Sequence, residues 1–214
     1  LLDTRLWSST VTRSDLGVVT VGGLGVDEIV RECDTPVYVV DEVDFRRRAR
    51  GFAEAFAGWD VYYAGKSFLT TRIARWVAEE GLCLDACSGN ELLVALRGGV
   101  DPSRIGLHGN NKSVAELRLA LESGVGRIIV DSLDEISRLE ALTAELGVTA
   151  KVLVRVTTGV EAHTHEYIAT AHEDQKFGFS IQGGQALMAL VRCQQSPRLD
   201  LRGIHSHIGS QIFD

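Results

Sequence analysis

The sequence predicts an α/β protein: a (β/α)8 TIM-like barrel, incomplete over residues 35–214, preceded by a segment, residues 1–34, that belongs to a separate β domain. Three observations predict it. From Thr35 onward, short runs rich in Val, Ile and Leu alternate with amphipathic segments, the pattern of parallel β/α units. About seven such runs recur at a spacing of roughly 20 to 40 residues, which favours a barrel over an open doubly wound sheet. No GxGxxG follows the first run, which argues against a dinucleotide-binding fold.

In order along the chain, TVTRSDLGVVTVGG (Thr10–Gly23) reads as hairpin-like β structure. VYVVD (Val37–Asp41) reads as a buried strand, followed by a helix over Val43–Phe56. VYYAGK (Val61–Lys66) is the next strand. Its helix, Thr70–Gly81, carries Ile73, Trp76 and Val77 at helical spacing, with Gly81 suited to the stop. Trp76 is expected in the helix core, and Arg46–Arg48 with Arg50 on a solvated helix face. CLDACS (Cys83–Ser88) precedes helix Asn90–Leu96, and IGLHG (Ile105–Gly109) precedes helix Ser113–Ser123. RIIVDS (Arg127–Ser132) precedes helix Leu133–Leu146, and KVLVRV (Lys151–Val156) leads into a long polar loop, Thr157–Gln175. A loop of that length more often means function or mobility. A helix over Gly183–Gln194 and the strand LRGIHSHIG (Leu201–Gly209) complete the pattern. One barrel strand is then still wanting, so the chain is expected to be part of a longer protein.

Hydrophobic content of 45% and charged content of 24% are ordinary for a soluble globular enzyme. A net charge of −7 without a basic stripe argues against a nucleic-acid partner. No apolar run approaches the roughly 18 residues needed to cross a bilayer, and there is no basic-then-apolar leader, so a cytoplasmic protein is expected. Cys33, Cys83, Cys87 and Cys193 lack zinc-type spacing and read as reduced core thiols, with Cys83 and Cys87 on one side of their strand.

The polar residues near the strand ends are more informative than any single motif. Lys66 closes the second expected strand, Asp85 sits within the third, and His108 closes the fourth. Arg155 lies near the end of the sixth and His207 near the end of the last. In a parallel barrel all carboxyl ends share one face, where catalytic groups gather. Period-two alternation puts Tyr62, Ala64 and Lys66 on one side, Leu153 with Arg155, and His205 with His207. Val152, Val154 and Val156 then face the helices. Any one of these residues alone reads as a solvated charge or a structural histidine. Five ionisable groups on one rim read as a site, because burying them unpaired is costly.

An amine at such a rim has a natural use. Free lysine is protonated at neutral pH and a poor nucleophile; partial burial disfavours the ammonium and frees the lone pair for a carbonyl. Schiff-base chemistry therefore suits Lys66, either directly on a substrate or as the anchor of pyridoxal phosphate.

Six stretches carry a family likeness: YAGKSF, LCLDACSGNEL, LHGNNKS, VLVRV, HTHEYIATAHEDQKFGFS and HSHIGSQIFD. Together, from about Leu24 on, they resemble the diaminopimelate decarboxylases, barrel-type pyridoxal-phosphate enzymes related to ornithine decarboxylases and alanine racemase. The resemblance implies loss of CO2 from meso-2,6-diaminopimelate to give L-lysine, the last step of lysine biosynthesis. It implies that Lys66 tethers the cofactor covalently, that His207 stacks on the pyridine ring and that Ser210 lies near the phosphate. Asp85 and Arg155 match positions near Lys66 and the cofactor's phenolic oxygen; no metal is implied. His108 matches a rim position. The family's glycine-rich phosphate loop, the acidic partner of the pyridine nitrogen and the C-terminal β domain match nothing up to Asp214. Residues 1–214 alone are therefore expected to lack decarboxylase activity, and the intact protein to be a homodimer whose sites are completed by the partner subunit.

Competing readings remain at this level. HTH at His163–His165 and HSH at His205–His207 resemble the paired ligands of a metal-dependent barrel hydrolase, but no late strand-end aspartate accompanies them. Another decarboxylase specificity, such as ornithine or arginine, and a non-catalytic pyridoxal-binding relative are the remaining alternatives.

Overall fold

The computed structural model describes residues 3, 6–159 and 177–209. They fall into two compact units: Leu1–Val61 with Glu79–Leu82, and Tyr62–Ala78 with Cys83–Asp214. Among the described residues no helix is long and apolar enough to cross a membrane.

The first unit holds the expected hairpin structure. Strands β1 (Thr12–Arg13), β2 (Val19–Val21) and β3 (Leu24–Gly25) form a small antiparallel sheet, followed by helices α1 (Val26–Cys33) and α2 (Glu42–Ala55). Asp41 caps α2 by accepting the Asp44 N–H at 3.2 Å, and also accepts the hydroxyls of Ser8 at 2.6 Å and Thr10. Burial alone would raise the Asp41 carboxyl; those hydroxyls and amides hold it below its ordinary range. Asp44 is 6% exposed and is paired by Arg47 and Arg48, each at 2.7 Å.

Two expectations fail here. Val37–Asp41 is irregular rather than a buried strand, and Tyr38 is fully exposed. An apolar run becomes a strand only when a neighbour pairs its backbone, and among the described residues none does. The arginines also divide. Arg47, Arg48 and Arg50 are more than half exposed, but the Arg46 side chain is 22% exposed and gathers Glu42, Glu79 and Glu80 at 2.8, 2.5 and 3.0 Å.

The second unit is a parallel sheet in sequence order, the wall of an incomplete barrel. Its strands are β4 (Tyr62–Ala64), β5 (Cys83–Ala86), β6 (Ile105–Leu107), β7 (Arg127–Val130), β8 (Ala150–Thr157) and β10 (Leu199–His205), with β9 (Phe179–Ser180) added to β8. Helices α3 (Thr71–Glu79), α4 (Gly89–Arg97), α5 (Val114–Ser123), α6 (Leu133–Leu146) and α7 (Gln185–Gln195) connect them. The expected elements are thus present apart from Val37–Asp41, while β9 was not foreseen because two residues carry no periodicity.

Local chemistry sets the boundaries. Ser88, Ser113 and Ser132 cap α4, α5 and α6, each accepting the N–H of a glutamate three residues on at 3.2 Å. Gly124 and Gly147 end α5 and α6 in the left-handed conformation that glycine adopts without strain. Between sheet and helices lie Leu84, Leu92, Ile105, Leu107, Leu117, Ile136 and Leu139, all fully buried. Each such side chain contributes about 1.5–3 kcal/mol over leaving it in water. Trp76 is 6% exposed, as its helical spacing predicted, and Val152 and Val154 are fully buried.

The cysteines need correction. Cys83 and Cys193 are buried, but Cys33 and Cys87 are exposed. Cys33 closes an amphipathic helix with no buried residue, and β5 stops at Ala86, so Cys87 already belongs to the turn.

Candidate active site

Asp85 anchors the site. In register it stands between Ala64 of β4 and Gly106 of β6. A Cβ on Gly106 would lie 2.7 Å from Asp85 Oδ1, with Tyr62 and Ile129 close by, so glycine lets the carboxylate keep this position. Just past β6, the His108 backbone N–H donates to Ala86 O at 2.8 Å, and its ring Nε2 lies 2.9 Å from Asp85 Oδ1. The His108 and His205 rings meet edge to face, with centroids 5.0 Å apart. His205 is in turn paired in register with Arg155 of the neighbouring strand. Asp85, His108, His205 and Arg155 therefore share one end of the parallel sheet.

Burial governs the protonation of this cluster. The His205 imidazole is pushed down to about 4, first by burial and then by the charges of His108 and Arg155. Its Nδ1 is buried without a hydrogen-bond partner among the described residues. His207 is also lowered, by burial and then by the Lys66 ammonium, so both rings are neutral at physiological pH. The Cys87 thiol, though open to solvent on one side, is raised by partial loss of hydration and by the Glu91 charge, with Lys66 pulling the other way.

Lys66 lies where the order of the strands predicts but not in the form predicted. β4 ends at Ala64, and a single 3-10 turn, Gly65–Ser67, carries the lysine, whose side chain is exposed rather than partly buried. Strand alternation therefore does not set its direction; the turn does. Gly65 is what lets the turn close, since a Cβ there would sit 2.7 Å from Asp85 O. His207 likewise falls two residues beyond β10 rather than on it. Ser210, His163 and His165 lie outside the described residues.

Behind Arg155 stands a second layer of charge that strand-end position does not mark. Arg155 is 8% exposed, its guanidinium 4.5 Å from the centroid of the Phe177 ring and 3.6 Å from Asp131 Oδ2. Asp131 Oδ1 also accepts the Gly178 N–H. Lys112, 3% exposed, pairs with Glu135 at 2.8 Å and donates to Gly109 O at 2.6 Å and Ile129 O at 2.7 Å. Lys112 lies in HGNNKS and Asp131 directly follows the strand RIIV, but neither position by itself signals burial.

Pyridoxal phosphate demands an amine for its aldehyde, a flat surface for its ring and cations for its oxygens. The rim holds side chains of each kind in Lys66, His207 and Arg155, together with one polar atom, His205 Nδ1, left without a hydrogen-bond partner among the described residues. The donor set fits that group.

An α/β barrel wall bearing such a rim defines a class, and the chain belongs to it: residues 42–214 match the family "Pyridoxal-dependent decarboxylase, pyridoxal binding domain". Within the class, its similar relatives are diaminopimelate decarboxylases. That of Mycobacterium leprae is 55% identical over 214 residues, covering 100% of this chain and 45% of the relative. That of Mycobacterium tuberculosis H37Rv is 54% identical over 211 residues, covering 98% and 47%. Among solved structures, diaminopimelate decarboxylase from M. jannaschii in co-complex with L-lysine superposes with a TM-score of 0.87 at 30% identity, over 97% of this chain and 49% of that one. The Helicobacter pylori enzyme complexed with L-lysine gives 0.82 at 31% identity, over 88% and 48%. The chain thus spans about half the length of the relatives it matches.

Proposed function

We propose that the protein carrying this chain is a pyridoxal-phosphate-dependent carboxy-lyase that converts meso-2,6-diaminopimelate to L-lysine and CO2. The observation that carries the reading is the gathering of Asp85, His108, Arg155 and His205 at one end of a parallel sheet within a matched pyridoxal-binding domain. The 54–55% identity to mycobacterial diaminopimelate decarboxylases supports the substrate. The L-lysine held by two of the structural neighbours supports the product.

When bound, pyridoxal phosphate supplies an electron sink for the carbanion that CO2 leaves behind. Lys66 Nζ is the group that would hold it covalently. His207, kept neutral by burial and by the nearby lysine charge, would present an uncharged ring face. Arg155, backed by Asp131, would face the phenolic oxygen, and Ser210 the phosphate. Asp85 accepts from His108 Nε2, which fixes that imidazole and keeps the carboxylate beside Gly106.

The remaining parts of the proposal follow the sequence pattern and the resemblance. The boundary between the N-terminal β segment and the barrel lies at residues 34/35, the protein is cytoplasmic, and it works as a homodimer whose partner subunit completes each site. Residues 1–214 alone are inactive. Incubating the full-length protein with diaminopimelate, ornithine and arginine in turn tests the substrate. L-lysine and CO2 from diaminopimelate alone support the proposal. Product from ornithine or arginine instead assigns another specificity, and no product from any of them supports the non-catalytic alternative.

A further inference from the structure

Among the described residues the second unit buries four charged side chains, Lys112, Glu135, Asp131 and Arg155, two of each sign. Such charges add little net stability over well-packed apolar side chains, so their value lies in fixed geometry. Arg155 is held from two sides, by the face of Phe177 and by Asp131. Asp131 acts on both supports at once. Its Oδ2 faces the guanidinium while its Oδ1 takes the Gly178 N–H, seating the turn that carries Phe177. That turn closes tightly on β8: Gly178 has φ +74°, and a Cβ on it would meet Arg155 O at 2.9 Å. The buried Lys112–Glu135 pair completes a charge-balanced layer, and Lys112 also ties down the backbone next to His108 through Gly109 O.

We propose that Asp131 is a positioning residue, which acts through Arg155 and the Phe177–Gly178 turn to aim the guanidinium at an oxygen of the bound cofactor. This rests on the pyridoxal reading above. The charge of Asp131 is essential to the role, whereas its hydrogen bond to Gly178 serves the turn.

The test is a double-mutant cycle on cofactor affinity in the full-length protein. Asp131→Asn keeps an oxygen for Gly178 and removes the charge; Arg155→Gln removes the partner. The pyridoxal phosphate Kd is read by equilibrium titration, and Tm is read separately without cofactor. Each single variant is expected to weaken binding about tenfold, and the double variant no more than Arg155→Gln alone. A wild-type Kd for Asp131→Asn, or losses that multiply in the double variant, would overturn the inference. Should Asp131→Asn not fold, its stranded Arg155 charge is the expected cause, and the double variant must then recover folding. A double variant that stays unfolded also overturns it. A wild-type protein that takes up no pyridoxal phosphate defeats the parent reading; wild-type binding with an unaffected Asp131→Asn defeats this inference alone.

Discussion

Asp85 Oδ1 and His108 Nε2 stand 2.9 Å apart across two neighbouring strands, above a glycine whose absent Cβ makes the contact possible. Gly106→Ala would put a methyl 2.7 Å from that carboxylate and force it aside. The expected result is a folded protein destabilised by about 1–3 kcal/mol, with weaker pyridoxal phosphate binding. Thermal unfolding and cofactor titration check the two parts. Unaltered binding would show that the Asp85–His108 contact plays no part in holding the cofactor.

Lys112 and Glu135 are almost completely enclosed, so breaking the pair strands a charge. Lys112→Met is expected to cost about 3–5 kcal/mol, whereas adding Glu135→Leu should recover much of that loss. Denaturant unfolding of the two variants is the measurement. A single variant as stable as wild type would contradict the pairing.

The half-buried imidazole of His205 gives the fold a definite acid sensitivity. Its ordinary value of 6.5 drops to about 4 in the folded protein, so the unfolded chain takes up this proton first. Its contribution is fully present above about pH 6.5 and is lost as pH falls toward about 4. The ring is partly open to solvent, so after screening the loss amounts to about 1–2 kcal/mol. Comparing the unfolding midpoints of wild type and His205→Gln across that range isolates it. The variant should show a flatter acid limb, and parallel curves would refute the assignment.

Much of this molecule was legible in its sequence because its signals are local. The alternation of apolar runs with amphipathic segments marks the β/α units, so α6 spans Leu133–Leu146 as its pattern predicts. Strand-end position picked out Asp85, His108 and Arg155, which the structure brings to one end of the sheet. What failed depended on partners distant in the chain. Val37–Val40 has the composition of a strand but no paired neighbour among the described residues, and Lys66 follows its 3-10 turn rather than the strand's alternation. Lys112, Asp131 and Glu135 were passed over because a charged residue in a sequence does not announce that it will be buried. Only the fold brings Gly109 O and Ile129 O to Lys112.

The covalent role of Lys66 is the claim on which the functional account turns, and it can be measured directly. The full-length protein, loaded with pyridoxal phosphate, is reduced with borohydride, digested and mapped by mass spectrometry. The account predicts a pyridoxyl group on the peptide containing Lys66 and its disappearance in Lys66→Ala. Pyridoxyl on another side chain, or on none, would contradict it.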